Sequence, residues 1–391
     1  MAVACVFVMR PAAACGGGGV TTSTSGGVVA DSQRVVLALR DVGTEDERTE
    51  IIAQVGVPAA GEAYGVLIPV PGEPTIDPEP VSIEDLDELD RATAPQVTVV
   101  TPIDDGGGSG SGCGCGSADD DSAGAADSAD ANVIVSAPVN LGPATVVVLQ
   151  ADDPAALTDW LDANGFAIPA EHEALVASYV DAGHSFIALK RSDDAPSDGP
   201  SSLGLHYTLA GDHRQLSLAF ARLGAAPSVA FTVFVTALAY VTPDPTFKAL
   251  TLYDLDPVLL QQSYRKAVAQ AVSKAGARAF VIESTLSSPL MAALSSDFRA
   301  LLGYTGSPAN VTTRLTTVVA ASALDSDVRL DGSALVVPSK RTIDAADTPS
   351  RISGASTALL ALVFAARAWR RRRSAGGSSA RYSEQSTTST S

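Results

Sequence analysis

Aromatic side chains are scarce in this 391-residue sequence, at 5% against 46% hydrophobic residues overall. The core must therefore be assembled from Ala, Val, Ile and Leu, and a chain this long can close such a core without disulfides or a structural metal. Cysteine is equally sparse: Cys5, Cys15, Cys113 and Cys115 are the only four, too few and too oddly spaced for a disulfide framework. There are four histidines, His172, His184, His206 and His213. No Gly-x-Ser-x-Gly elbow, no Gly-x-Gly-x-x-Gly fingerprint and no Walker A sequence is present, which removes the common hydrolase, dinucleotide and nucleotide-triphosphate readings. Basic residues are also few, 26 against 44 acids for a net charge of −18. Nucleic-acid partners need Lys and Arg to neutralise phosphates, so this balance excludes them.

The charge is unevenly spread. From residue 367 onward the chain carries a local +5, leaving −23 on everything before it. Just ahead of that basic end, Ile352 to Trp369 reads as an apolar run closed by Arg370 to Arg373. Its uninterrupted part, Ala355 to Ala366, reaches only ~18 Å, but the full run extends ~27 Å, close to a hydrocarbon core of ~30 Å. Arg367 would snorkel and Trp369 would sit at headgroup level. We read residues 352–369 as a transmembrane or sorting helix and 370–391 as a basic stop with a polar tail, so that 352–373 meets the membrane and the acidic part lies outside the cytoplasm. The first 14 residues end in Ala12-Ala13-Ala14 before Cys15, which resembles a secretory signal and, loosely, a lipobox.

Between the ends, β-rich runs predict strands over Arg34 to Leu39, Glu50 to Val57, Gly65 to Val70, Gln96 to Val100, Ala144 to Leu149 and Ser185 to Lys190. Further strands are expected at Leu203 to Leu209, Val229 to Val235, Phe247 to Tyr253 and Arg314 to Val319. Capped helical patterns cover Ser82 to Arg91, Asp153 to Ala163, Glu171 to Asp181, Pro257 to Lys274 and Pro289 to Leu302. The expected class is α+β, a mainly antiparallel or mixed sheet with several packed helices and a C-terminal membrane-type helix. Residues 104–131 collapse into Gly, Ser, Ala and Asp, a flexible insertion separating a first half, 15–103, from a second, 132–345.

Several segments in order resemble the bacterial family known as domain of unknown function 2330: Ala14 to Gly17, Gln33 to Val36, Tyr64 to Pro71, Leu89 to Pro95 and the Cys113-Gly114-Cys115 insertion. The most specific lies between Leu149 and Lys190, where Leu157, Trp160 and Leu161 precede Asn164-Gly165-Phe166, Ile168-Pro169, Tyr179-Val180, Gly183 and Phe186 to Lys190. Gly18-Gly19-Val20 stands where relatives carry a run ending in a second Cys, so Cys15 lacks its partner. The resemblance implies an exported surface protein and supplies no catalytic residue or cofactor.

The candidate metal or redox residues are Cys113, Cys115, Asp119, Asp120 and Asp121. Two thiols one residue apart beside three carboxylates could take a soft or hard cation, although they fall short of a four-ligand zinc site and of an EF-hand loop. A pairing of the two thiols is the plainer reading in an oxidising compartment. His206, in an alternating Leu203 to Tyr207 run, is expected to face solvent opposite Leu205 and Tyr207. His172 and His184 flank helix ends. The favoured function is a non-enzymatic envelope ectodomain that binds a protein partner, with the exposed edge of a Val-rich sheet as a docking surface. An extracytoplasmic hydrolase and a cation or redox module are the alternatives.

Overall fold

The computed structural model describes residues 18–21, 30–57, 64–100, 133–166, 168–192, 195, 201–287, 291–304, 310–333 and 340–344. The expected signal-like segment 1–14, the insertion 104–131 and the membrane-type helix 352–369 lie outside these residues. Among the described residues, no helix is long and apolar enough to cross a membrane.

A mixed eight-stranded sheet dominates. Its order is β15 (Lys248–Thr251), β16 (Ala279–Ser287), β17 (Val311–Ala320), β13 (Ala225–Ala237), β2 (Ala30–Arg40), β3 (Arg48–Val57), β11 (Ser201–Ala210) and β5 (Thr75–Ile76). The β13–β2 and β15–β16 pairs are parallel and the remainder antiparallel. A second, six-stranded sheet runs β1 (Gly18–Thr21), β4 (Tyr64–Pro71), β10 (His184–Arg191), β9 (Ala144–Ala151) and β7 (Val133–Val135), with β8 (Val139–Asn140) also on β9. Two small sheets complete the set: β12 (Gln215–Leu216), β18 (Val328–Ser333) and β14 (Tyr240–Pro243), and the pair β6 (Gln96–Val100) and β19 (Lys340–Asp344). Contacts group the chain into two compact units, one of which includes Val99, Val100 and Thr342–Asp344 among the described residues. The other holds everything else described.

The helices follow their caps. In α1 (Ile83–Thr93) the Ser82 side chain accepts from the Asp85 amide, and in α2 (Pro154–Ala163) Asp153 accepts from Ala155 while Pro154 occupies the first turn. The second ends at Asn164-Gly165, where Gly165 takes φ +77°. The helix α3 (Ala170–Asp181) closes at Gly183. The expected helix Pro257 to Lys274 is two, α4 (Pro257–Gln262) and α5 (Tyr264–Lys274), divided by Ser263 in extended conformation as the cap of the second. Of Pro289 to Leu302, α6 (Ser296–Leu301) is the α-helical part among the described residues.

One face of the large sheet, with Val36, Ala38, Ile52 and Phe234, is covered by Leu86 and Leu89 of α1 and by Met291, Leu294, Phe298 and Leu302 around α6. The six-stranded sheet buries Leu67, Leu149, Phe186 and Ala188 under Leu157, Trp160 and Leu161 of α2 and Val176 and Val180 of α3. Gly65 is required at the centre of that second core. A Cβ there would meet the Phe166 ring at 2.2 Å, and the same ring lies 6.4 Å from Trp160 with the Lys190 ammonium 4.7 Å from its centre.

Candidate functional site

Buried charge in this protein gathers where α1 crosses the large sheet. Asp87 and Asp90, three residues apart, share one face of the helix. Arg34 of β2 reaches Asp87 at 2.7 Å, and Arg314 of β17 reaches Asp90 at 2.7 Å and donates to the Asp90 carbonyl at 2.8 Å. Arg314 also pairs with Glu283 of β16, whose other oxygen accepts from the Tyr264 hydroxyl at 2.5 Å. Glu283 is completely buried. Burial, followed by the neighbouring Glu283 carboxylate, pushes the Tyr264 hydroxyl far above its usual range and holds it as a donor. Ser284 donates to the Thr93 carbonyl at 2.8 Å and so terminates α1. The Gln33 to Val36 and Leu89 to Pro95 segments thus meet here: Arg34 holds Asp87 just ahead of the second segment, and Arg314 holds Asp90 within it. Arg34, Asp87, Asp90, Glu283 and Arg314 each have an ion-pair partner within the protein, an arrangement that fixes the helix, while Arg34 Nη2 is buried without a hydrogen bond among the described residues.

A second polar cluster corrects a reading of the sequence. His206 is buried at 7% exposure and does not face solvent. Its Nε2 lies 3.1 Å from Glu50 Oε2 and its Nδ1 3.1 Å from Asp77 Oδ2. Thr208 and Arg48 also donate to Glu50, at 2.7 and 2.9 Å. Burial raises the Glu50 carboxyl, but the hydrogen bonds from His206, Thr208 and Arg48 outweigh it and bring its pKa down to about 2. A carboxylate oxygen lies at hydrogen-bond distance from each ring nitrogen, so both positions are taken by protein groups. The imidazole ties the segment after β5 to β3 and β11.

The other histidines are scattered. His213 Nε2 bonds the Ala210 carbonyl at 2.7 Å. His184 packs edge-on against Tyr179, 5.0 Å between ring centres, with both nitrogens buried. Burial lowers its pKa, with Asp327 opposing. The structure brings none of the four together. Cys113, Cys115, Asp119, Asp120 and Asp121 lie outside the described residues, and among those described no group of three His, Cys, Asp or Glu is placed to hold a metal ion.

What the sequence could not locate is a sheet edge, and β7 supplies one with no further strand on it among the described residues. It is the last strand of the six-stranded sheet, with Ile134 70% and Val135 38% exposed. The Ser136 amide donates to the Val148 carbonyl at 2.9 Å. Antiparallel alternation then makes Ile134 the next residue bonded to β9 and turns the amides and carbonyls of Val133 and Val135 outward. No charged residue occurs between Asp130 and Asp152, so this edge is neutral on a strongly acidic chain. The signal legible beforehand was the uncharged, Val-rich stretch.

No curated protein and no solved structure shows significant similarity to the chain. The family model described as an uncharacterized protein conserved in bacteria, domain of unknown function 2330, matches residues 11–237, which include β2, β3, the charged face of α1, the Phe166 core and the β7 edge. The chain belongs to that family.

Proposed function

We propose that this protein is an exported component of the bacterial envelope whose acidic ectodomain binds an extended segment of a partner protein along β7, held near the membrane by residues 352–373. The observation that carries the binding role is the neutral β7 edge with Ile134 exposed, where outward backbone groups at Val133 and Val135 are set to extend the sheet. The topology rests on the apolar run from Ile352 to Trp369 before Arg370 to Arg373, and on a charge of −23 confined to the other side of it.

A photo-crosslinking residue in place of Ile134, in cells expressing the full chain with a C-terminal tag, tests both parts. A discrete crosslinked species in the envelope fraction, with the ectodomain digested by protease added outside the cytoplasmic membrane, is the expected result. A soluble cytoplasmic protein would refute the localisation. Absence of any Ile134-dependent crosslink would refute the docking edge.

A further inference from the structure

A cavity of about 80 Å³ lies between β4 of the six-stranded sheet and the β2, β3 and β11 face of the large sheet, closed by residues 213–221. Its walls are mostly aliphatic and aromatic, among them Leu37, Ile51, Val70 and Phe231, with Gln33 and Ser217 as polar members, and no Asp, Glu, Lys or Arg contributes to them. Among the lining residues Gln215 is exposed and His213 half-buried. Into this space faces Tyr207, which is 5% exposed and whose hydroxyl has no hydrogen-bond partner among the described residues. Burial alone raises the hydroxyl's pKa, so it stays protonated and can donate. A tyrosine hydroxyl that meets no protein acceptor can donate to an occupant of the space it lines.

We infer that this cavity is a binding site for a small neutral aliphatic molecule carrying one acceptor oxygen, such as a short alcohol, with that oxygen on the Tyr207 hydroxyl. Size sets the scale. At about 10–15 Å³ per water-sized occupant, the space holds on the order of six such groups, a chain of roughly six heavy atoms. Polarity sets the class: the mostly apolar walls hold no Lys or Arg to pair with a carboxylate, and the chain's net charge of −18 repels anions. This inference is independent of the β7 edge, which belongs to another part of the fold.

Calorimetric titration of the full-length protein with 1-hexanol, and with hexanoate at neutral pH, tests it. Saturable one-site binding of hexanol and none of hexanoate is expected. Tyr207→Phe keeps the ring and removes the hydroxyl, and should weaken hexanol binding about 2- to 10-fold, the value of one net hydrogen bond. Ala221→Leu, which pushes a larger side chain into the cavity wall, should abolish it. Both variants are first checked for an unchanged far-UV spectrum and cooperative melting. Non-saturable hexanol uptake, equal binding by the Tyr207→Phe protein, or preference for hexanoate would each overturn the assignment.

Discussion

Replacing Arg314 by Met should be among the most damaging single changes available in this fold, and the size of the effect follows from what remains behind. Glu283 is wholly buried and Arg314 is its charged partner. After the substitution, the carboxylate keeps the Tyr264 hydroxyl among the described residues, and the Asp90 carbonyl loses the Arg314 donor and retains the longer Thr93 hydroxyl bond at 3.4 Å. Asp90 itself is 28% exposed at the side chain and can turn to solvent. Breaking one side of a buried pair costs about 3–5 kcal/mol, and the surviving Tyr264 bond places this case near the lower end, about 3 kcal/mol. Glu283→Gln leaves Arg314 paired with Asp90, so about 1–2 kcal/mol is expected there. The double variant should be less destabilised than the two losses added, by about 1–2 kcal/mol, because neither charge is then stranded. Urea unfolding followed by circular dichroism at pH 7 measures all four corners. An Arg314→Met loss under 1 kcal/mol, or strict additivity in the double variant, would show that the network does not anchor α1 as described.

Three further outcomes can be checked. Because the Glu50 pKa in the fold lies below its unfolded value, its contribution is full above the ordinary Glu range near 4.5 and is lost as pH falls toward about 2. After solvent screening this amounts to roughly 2 kcal/mol, and a Glu50→Gln protein should lack that acid limb in pH-dependent thermal melts. His184 acts in a different window: burial disfavours its charged form, so the unfolded chain takes up the proton first and stability falls as pH drops below about 6.5. His184→Phe should flatten that step and leave the Glu50 limb untouched; an unchanged profile between pH 5 and 7 would count against it. Gly65→Ala forces a methyl group into the Phe166 ring and should cost about 1–3 kcal/mol by denaturant titration, largely relieved in a Phe166→Leu background.

The class of the fold was legible because alternation and caps agree. Each expected strand overlaps an observed one, and Ser82, Asp153 and Gly165 stand where helices start or stop. Two failures have a common physical origin. β16 escaped notice because Phe280-Val281-Ile282 gives way to Glu283-Ser284-Thr285, a polar turn by composition that is buried only because Arg314 and Tyr264 answer Glu283 from elsewhere in the chain. His206 was placed outward because alternation assumes one wet face. β11 is covered on both sides, by the α1 side on one and by the β4 side on the other, so a period of two no longer separates core from solvent. The β7 edge depended on strand order, which no local pattern encodes.

The family match ends at Ala237, the last residue of β13, and β17 pairs with that strand along ten residues, from Ser228 against Ala320 to Ala237 against Val311. A shorter polypeptide built to the family boundary would therefore cut the large sheet down its middle. It would bare Thr232, Phe234 and Thr236 and leave a long unsatisfied ladder in place of a domain surface. For expression of this protein, the sheet therefore calls for a unit that reaches at least to residue 320, the end of β17.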